Sequence, residues 1–259
     1  MTSSTAGSAL RLAVGTLTVL PTGRVDRLDA AVARTAMLLA PLAVLPLALL
    51  AGALAWAGTA LAWPGLVVGL ITVAGLALGT RALHLDGLAD TVDGLGAGWD
   101  RERSLDVMRR GDVGPMGVVA LVLVLGLQAA AIGAVVSDGR SAAVVALLVC
   151  CSRAVLAVVC RRGVPAARPG GLGAAVAGSV PVVAAMATWV VVAALLSLAW
   201  PWLGGRWPAG ALTALVAVAA GALLVAWCVR RLRGVTGDVM GACVEVTFTV
   251  LLLGAAAVG

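Results

Sequence analysis

Three aspartates, Asp86, Asp90 and Asp93, stand at i, i+4 and i+7 within HLDGLADTVDGLGAGWD, residues 84–100, a stretch holding four aspartates in seventeen positions. On a helix turning roughly 100° per residue they project at about 0°, 40° and −20°, one narrow face. Unpartnered like charges at that spacing repel, so the arrangement is favourable only with cations among them. Hard divalent cations, magnesium or manganese, take oxygen ligands and bridge to substrate phosphates. Asp86, Asp90 and Asp93 are therefore candidate metal ligands and, with their ion, candidate catalytic groups. Gly87 and Gly94 are expected to leave the face open for a phosphate to approach the backbone, and Gly94, Gly96 and Gly98 to end the helix. The competing reading is a solvated acidic face capping a membrane helix. His84, the only histidine, is a candidate proton carrier, metal ligand or substrate contact, or an interfacial hydrogen-bonding group.

Three further polar clusters punctuate the chain. RERSLDVMRRGDVGPMG (101–117) offers Arg109 and Arg110 as phosphate partners and Asp112 as an acid between glycines. CCSRAVLAVVCRRGVPAARPGGLG (150–173) carries Arg153 inside an apolar run and Arg168 beyond it; Arg161 and Arg162 read as topology charges. RRLRGVTGDVMGACVE (230–245) sets glycine-flanked Thr236 and Asp238 at the start of the last apolar run, with Glu245 two turns in. Charges at the depth of Arg153 and Glu245 are costly, so these residues either contact substrate or pair with each other. Aspartates for metals, arginines for phosphates and glycines for close approach are the equipment of phosphoryl or phosphodiester transfer.

The elements that must position these groups are membrane helices. Of 259 residues 62% are hydrophobic and only 12% charged, and apolar runs of roughly 20 residues, long enough to cross a bilayer, fall at 36–57, 60–80, 115–136, 141–160, 176–199, 209–229 and 239–258. The expected fold is an all-α, polytopic bundle of about seven transmembrane helices, a single domain over 1–259, with the second helix continuing past Arg81 to carry the aspartates. The segment from Leu12 to Leu20 is too short to span and is expected on the surface. The N-terminus lacks the pattern of a cleaved signal.

Short cytoplasmic loops retain positive charge. With the N-terminus inside, fifteen of eighteen arginines are cytoplasmic; Arg140 and Arg206 fall outside and Arg153 within a span. Trp56, Trp63, Trp200, Trp202 and Trp207 flank the outer connections 58–63 and 201–208, as interfacial indoles do. Ten of twelve carboxylates map to the cytoplasmic side, which places the candidate active site there. The net charge of +6 follows from this bias and calls for no nucleic acid. Five cysteines without CxxC spacing read as packed thiols. The pairs Gly65/Gly69 and Gly75/Gly79 read as helix-packing sites. No GxxxxGK[ST] loop is present, which disfavours an ATPase, and no Ser–His or Cys–His nucleophile is evident.

HLDGLADTVDGLG resembles the signature of the cobalamin synthase family, the adenosylcobinamide-GDP ribazoletransferases. The resemblance extends through LTVLPTGR (17–24), MRRGDVGPMG (108–117), SRAVLAVVCRRGVPAARPGGLG (152–173) and GVTGDVMGACVE (234–245). Two stretches depart from the family pattern: the acid and base of the second motif occur as Asp112 and Arg110 in exchanged order, and Ala166 replaces a common aromatic. The resemblance implies a multi-pass enzyme of the bacterial plasma (inner) membrane, in contact with membrane lipid. In it the 3′-hydroxyl of α-ribazole, or of its 5′-phosphate, attacks the cobinamide phosphate of adenosylcobinamide-GDP, expels GMP and completes the cobalamin. Mg2+ is the implied ion, held by Asp86, Asp90 and Asp93. Arg109, Arg153 and Arg168 are candidates for the diphosphate, with His84, Thr236 and Glu245 as further substrate-binding candidates. Either Asp112 or Asp238 takes the hydroxyl proton or completes the metal shell. Two alternatives compete. A CDP-alcohol phosphotransferase also uses an aspartate array, but its longer signature DGxxARx8GxxxDxxxD is not met. A transporter would carry its polar groups near the bilayer midplane rather than at one face.

Overall fold

The computed structural model describes residues 4–25 and 28–258, and among these it is built from thirteen α-helices and a 3₁₀ turn, with no strand. The helices are α1 (Thr5–Leu17), α2 (Ala30–Ala43), α3 (Leu45–Ala60), α4 (Gly65–Gly79), α5 (Leu83–Gly96), α6 (Arg101–Val107), α7 (Pro115–Val135), α8 (Gly139–Arg153), α9 (Val155–Val159), α10 (Gly171–Val176), α11 (Val182–Ala199), α12 (Trp207–Leu232) and α13 (Gly237–Ala256). Six segments are long and apolar enough to cross a membrane, or seven where the bent pair α4–α5 is taken as one broken span. This is the all-α polytopic bundle that composition implies. The first crossing starts earlier than expected, at Ala30, and the fifth later, at Val182. α8 with α9, and α13, form the buried centre, while the other crossings show much of their surface outward.

Local chemistry explains where the helices begin and bend. Asp29 accepts from the Ala31 and Val32 amides to start α2, and Asp138 and Ser141 form a capping box at α8. Pro46 at the start of α3 cannot donate to the preceding turn, so α2 and α3 part at Val44. α1 does not lie free on a surface: Ala9, Leu12, Ala13 and Leu17 are buried, and it packs on α2.

The second crossing differs from the continuous helix expected. The chain breaks after Gly79 and turns by 92° into α5, because Arg81 and Ala82 both take left-handed backbone angles, φ +54° and +55°. The Ala82 amide folds back onto the Ala77 carbonyl, and the Val19 amide bonds the Gly79 carbonyl at 2.8 Å. LTVLPTGR thus closes the open end of α4.

The glycine pairs pack helices as expected. A methyl at Gly65 would lie 2.6 Å from the Gly133 carbonyl oxygen, and one at Gly69 would collide with the Ala129 backbone, so α4 and α7 touch main chain to main chain. Gly75 and Gly79 receive Leu54 and Leu47 from α3. The five cysteines are free, four of them buried. Trp56, Trp63, Trp202 and Trp207 are exposed, but Trp200 is fully buried. It departs from the interfacial role expected because the 3₁₀ turn Trp200–Leu203 tucks it against α8 and α12.

Candidate active site

Two helix starts build the site. α5 carries Asp86 exposed, with Asp90 and Asp93 buried. α13 opens with Thr236 as its N-cap, the hydroxyl accepting from the Val239 amide at 3.3 Å, and Asp238 in its first turn. The two helices pack through glycine. A methyl at Gly87 would lie 2.6 Å from the Asp238 carbonyl oxygen, and one at Gly241 would lie 3.0 Å from the His84 Cα. The expectation that Gly87 and Gly94 hold open a phosphate approach is therefore corrected. Gly87 is filled by the Asp238 backbone and Gly94 by Met108 and Ser104, since the absent side chains are what let the helices close.

This packing brings Asp238 to the aspartate helix although about 150 residues separate them. Asp90 lies in the field of Asp86, Asp238 and Asp93, with Arg168 the one counter-charge acting on it. Arg168 donates from Nη2 to Asp238 Oδ2 at 3.2 Å, and Thr236 Oγ1 donates to the same oxygen at 3.0 Å. Arg168 reaches Asp238 because its loop is zipped to the start of α13. The Ala167 amide bonds the Val235 carbonyl and the Val235 amide bonds the Pro165 carbonyl, both at 2.9 Å. Only glycine fits at 234, where a methyl would lie 2.5 Å from the Ala166 carbonyl carbon. Beside this group a cleft of about 270 Å³ is lined by Leu83, Arg168, residues 170–174 and residues 235–238. Gly170 and Gly171 turn through it at φ +103° and +75°.

Asp93 has a different set of partners. Its Oδ2 accepts from the Gly114 amide at 2.7 Å and its Oδ1 from the Gly117 amide at 2.8 Å, so both oxygens hold the positive N-terminal end of α7. Asp86 and Asp90 make no side-chain hydrogen bond among the described residues. No three or more His, Cys, Asp or Glu residues among those described form a ready metal cage. The oxygens left free of backbone donors are those of Asp86 and Asp90, with Asp238 shared by Arg168 and Thr236.

The remaining candidates lie apart from this group. Arg109 and Arg110 both pair with Asp106, at 3.0 and 3.3 Å, on the exposed face of α6, and Asp112 is exposed in the loop before Gly114. His84, Arg153 and Glu245 belong to a second, buried cluster. Glu245 Oε2 accepts from Gln128 Nε2 at 2.8 Å, Gln128 also donates to Thr249 Oγ1 at 3.1 Å, and His84 Nδ1 stands 4.0 Å from Glu245 Oε1. Arg153 donates to the Val149 carbonyl at 3.1 Å and to Ser152 Oγ at 2.7 Å, and lies over the Phe248 ring. The direct Arg153–Glu245 ion pair weighed from the sequence does not form: Glu245 takes its hydrogen bond from Gln128 instead.

Sequence reasoning missed Gln128, Arg101 and Arg231. Gln128 is the chain's only carboxamide, centred in the otherwise apolar α7, and that isolation was the available signal. Arg101 Nε donates to the Leu232 carbonyl at the end of α12 at 2.8 Å and its Nη2 to the Ala167 carbonyl. Arg231 donates to the Gly98 carbonyl and stacks on Trp99 at 4.2 Å. These two arginines tie the connections around residues 98–101, 167 and 231–232 into one end of the bundle; as bare charges they resemble any topology arginine.

A helical, multi-pass membrane protein with a carboxylate–arginine cluster and an adjoining cleft at one end defines the class. Comparison with known proteins narrows it. The family described as Cobalamin-5-phosphate synthase matches residues 9–256, and the chain belongs to that family. An adenosylcobinamide-GDP ribazoletransferase of Nocardioides sp. is 49% identical over 249 residues, covering 96% of this chain and 98% of the relative. A protein of the same name from Frankia casuarinae is 38% identical, covering 94% and 92%, and one from Bradyrhizobium diazoefficiens is 39% identical, covering 96% and 93%. No solved structure matches the chain.

Proposed function

We propose that this chain is an adenosylcobinamide-GDP ribazoletransferase acting in the last steps of cobalamin biosynthesis, with Asp86, Asp90, Asp238, Arg168 and Thr236 as its reacting centre. The carrying observation is the meeting of Asp238 and Arg168 with the aspartate face of α5 beside an open cleft. Family membership and the relatives' names supply the reaction. The 3′-oxygen of α-ribazole, or of its 5′-phosphate, forms a bond to the cobinamide-bound phosphorus. The bond from that phosphorus to the GMP oxygen breaks, and the hydroxyl proton passes to a carboxylate. Asp238 suits that role better than Asp112, because Thr236 and Arg168 hold its Oδ2 in place while Asp112 is exposed. Arg168, in the cleft wall, is the group we assign to the diphosphate.

The donor set suits Mg2+ in chemistry. Hard carboxylate oxygens crowd around Asp90 with one guanidinium against them, and Mg2+ commonly binds through one or two carboxylates plus substrate phosphate rather than in an all-protein cage. Asp86 and Asp90 would hold it, with Asp238 adjacent and Asp93 fixing α5 against α7. Bound there, the ion would neutralise diphosphate charge. A cytoplasmic site is the reading we favour, supported by the arginine-rich character of the connections that Arg101 and Arg231 join.

The test is purified protein given adenosylcobinamide-GDP and α-ribazole, with GMP and the cobalamin product detected. Failure to release GMP in the presence of Mg2+ overturns the assignment. Reporters fused near Arg101, Arg168 and Arg233 should read cytoplasmic, and those near Asp138 and Gly205 external; an external reading at Arg168 would split the site.

A further inference from the structure

A groove of about 520 Å³ runs between α11 and α12, against about 10 Å³ beside Gln128, Arg153 and Glu245 at the bundle's buried centre. Its shape follows from side-chain size. The helices touch at Gly210, where a methyl would lie 2.5 Å from the Leu196 backbone. Beyond that contact small residues such as Ala185, Ala214 and Ala222 leave the hollow unfilled. The lining is apolar but for Arg161. None of α5, α6, α7 or α13 contributes to it, so it is separate from the reacting centre.

Arg161 is held in position with its charge uncompensated. The chain around it is pinned by the Arg162 amide on the Val180 carbonyl at 2.7 Å and by the Val180 amide on the Cys160 carbonyl at 3.0 Å. Its guanidinium donates to the Val158 carbonyl at 3.1 Å, and among the described residues it has no carboxylate partner. A guanidinium stays charged and carries five donors, so most of its capacity is open beside an apolar trough. Trp189, also in the lining, has a buried indole N–H with no acceptor. From Val182 to Ala193 the groove follows α11 for about 16 Å at 1.5 Å per residue, the depth of roughly one leaflet of a 30 Å hydrocarbon core.

We propose that this groove binds an anionic phospholipid, one acyl chain lying between α11 and α12 and the headgroup phosphate paired with Arg161. The apolar length matches one chain in one leaflet, and the arginine stands beside α11's first turn, at headgroup level. A zwitterionic headgroup brings its own cation to the arginine and is the poorer ligand. Basic pockets between membrane helices take anionic headgroups for the same reason.

The experiment uses the full chain, purified and delipidated in detergent, titrated with phosphatidylglycerol or with phosphatidylcholine of identical chains, and read as bound lipid per protein by native mass spectrometry. The unmodified protein should retain one phosphatidylglycerol in preference to phosphatidylcholine. Arg161→Gln should cut that preference about fivefold while leaving phosphatidylcholine binding unchanged. Ala214→Phe, which fills the trough, should lose both lipids, and excess inorganic phosphate should leave bound lipid in place. Equal retention of the two lipids by the unmodified protein, an unchanged preference in Arg161→Gln, or displacement by inorganic phosphate overturns the proposal. If Ala214→Phe does not fold, the Arg161→Gln comparison decides alone. Retained GMP release by Arg161→Gln verifies its fold, and lipid binding is read without reference to turnover.

Discussion

The cluster at Asp86, Asp90, Asp238 and Arg168 and the cluster at His84, Gln128, Arg153 and Glu245 share the same two helices, α5 and α13, and similar residue types, yet differ in what their polar groups still need. In the first, three carboxylates crowd against one arginine beside a cleft of about 270 Å³. In the second, Glu245, Gln128 and Thr249 bond one another, Arg153 bonds Val149 and Ser152, and the void beside them is only about 10 Å³, room for roughly one water. The first is an excess of charge looking for a ligand; in the second, Glu245 and Gln128 are satisfied inside, and the buried atoms without a partner are His84 Nδ1 and Arg153 Nε. Polar groups within the membrane are thus present, as a transporter would require, but sealed rather than strung along a pathway. Chemistry belongs where charge is both unpaired and reachable.

The sharpest way to break this contrast is to remove the unpaired carboxylates. Asp86→Ala and Asp90→Ala should each abolish GMP release, as should chelation of divalent cations, with Mg2+ restoring the unmodified enzyme. Near-normal turnover in both variants would end the metal reading. Asp93→Ala should also abolish turnover, but by freeing the α7 amides. It should therefore lower thermal stability by about 1–3 kcal/mol, whereas Asp86→Ala should melt like the parent.

Asp238→Asn is expected to lower kcat by more than roughly a hundredfold, the scale of one charged contact at such centres, with little change in melting. Cysteines at positions 90 and 238 should crosslink with a short bifunctional reagent; failure in a folded background would separate the two motifs. Gly87→Ala adds no charge and should still cost about 10- to 100-fold in kcat, because its methyl would lie 2.6 Å from the Asp238 carbonyl oxygen and must push the two helices apart. A turnover equal to the parent's would mean that the spacing of α5 and α13 is immaterial.

The smallest effect is expected in the sealed cluster. Glu245→Gln keeps an acceptor for Gln128 and should hold turnover within about threefold, while Glu245→Leu strands the buried amide and should cost about 1–3 kcal/mol of stability, measured by thermal unfolding. A hundredfold loss in Glu245→Gln with unchanged melting would move this cluster into the reacting centre.

Composition and the spacing of apolar runs were enough to read an all-α bundle of six to seven membrane crossings, because the bilayer sets helix length and hydrophobicity residue by residue. Periodicity likewise placed Asp86, Asp90 and Asp93 on one face, since all three lie within α5. The break at Arg81 and Ala82 was not legible: neither is a glycine or proline, and their left-handed angles are stabilised by folding back on Ala77, with Val19 docked on Gly79. Nor could local pattern assign partners. Whether an aspartate lines a cleft, as Asp238 does, or holds an amide end, as Asp93 does, depends on where α7 and α13 arrive. The tasks of Gly87, packed on Asp238, and of Gln128, bonded to Glu245 across 117 residues, are equally tertiary. Sequence determined which elements form because that physics is local; the tertiary structure decided which charges are left unpaired, because pairing is a property of neighbours brought together from distant parts of the chain.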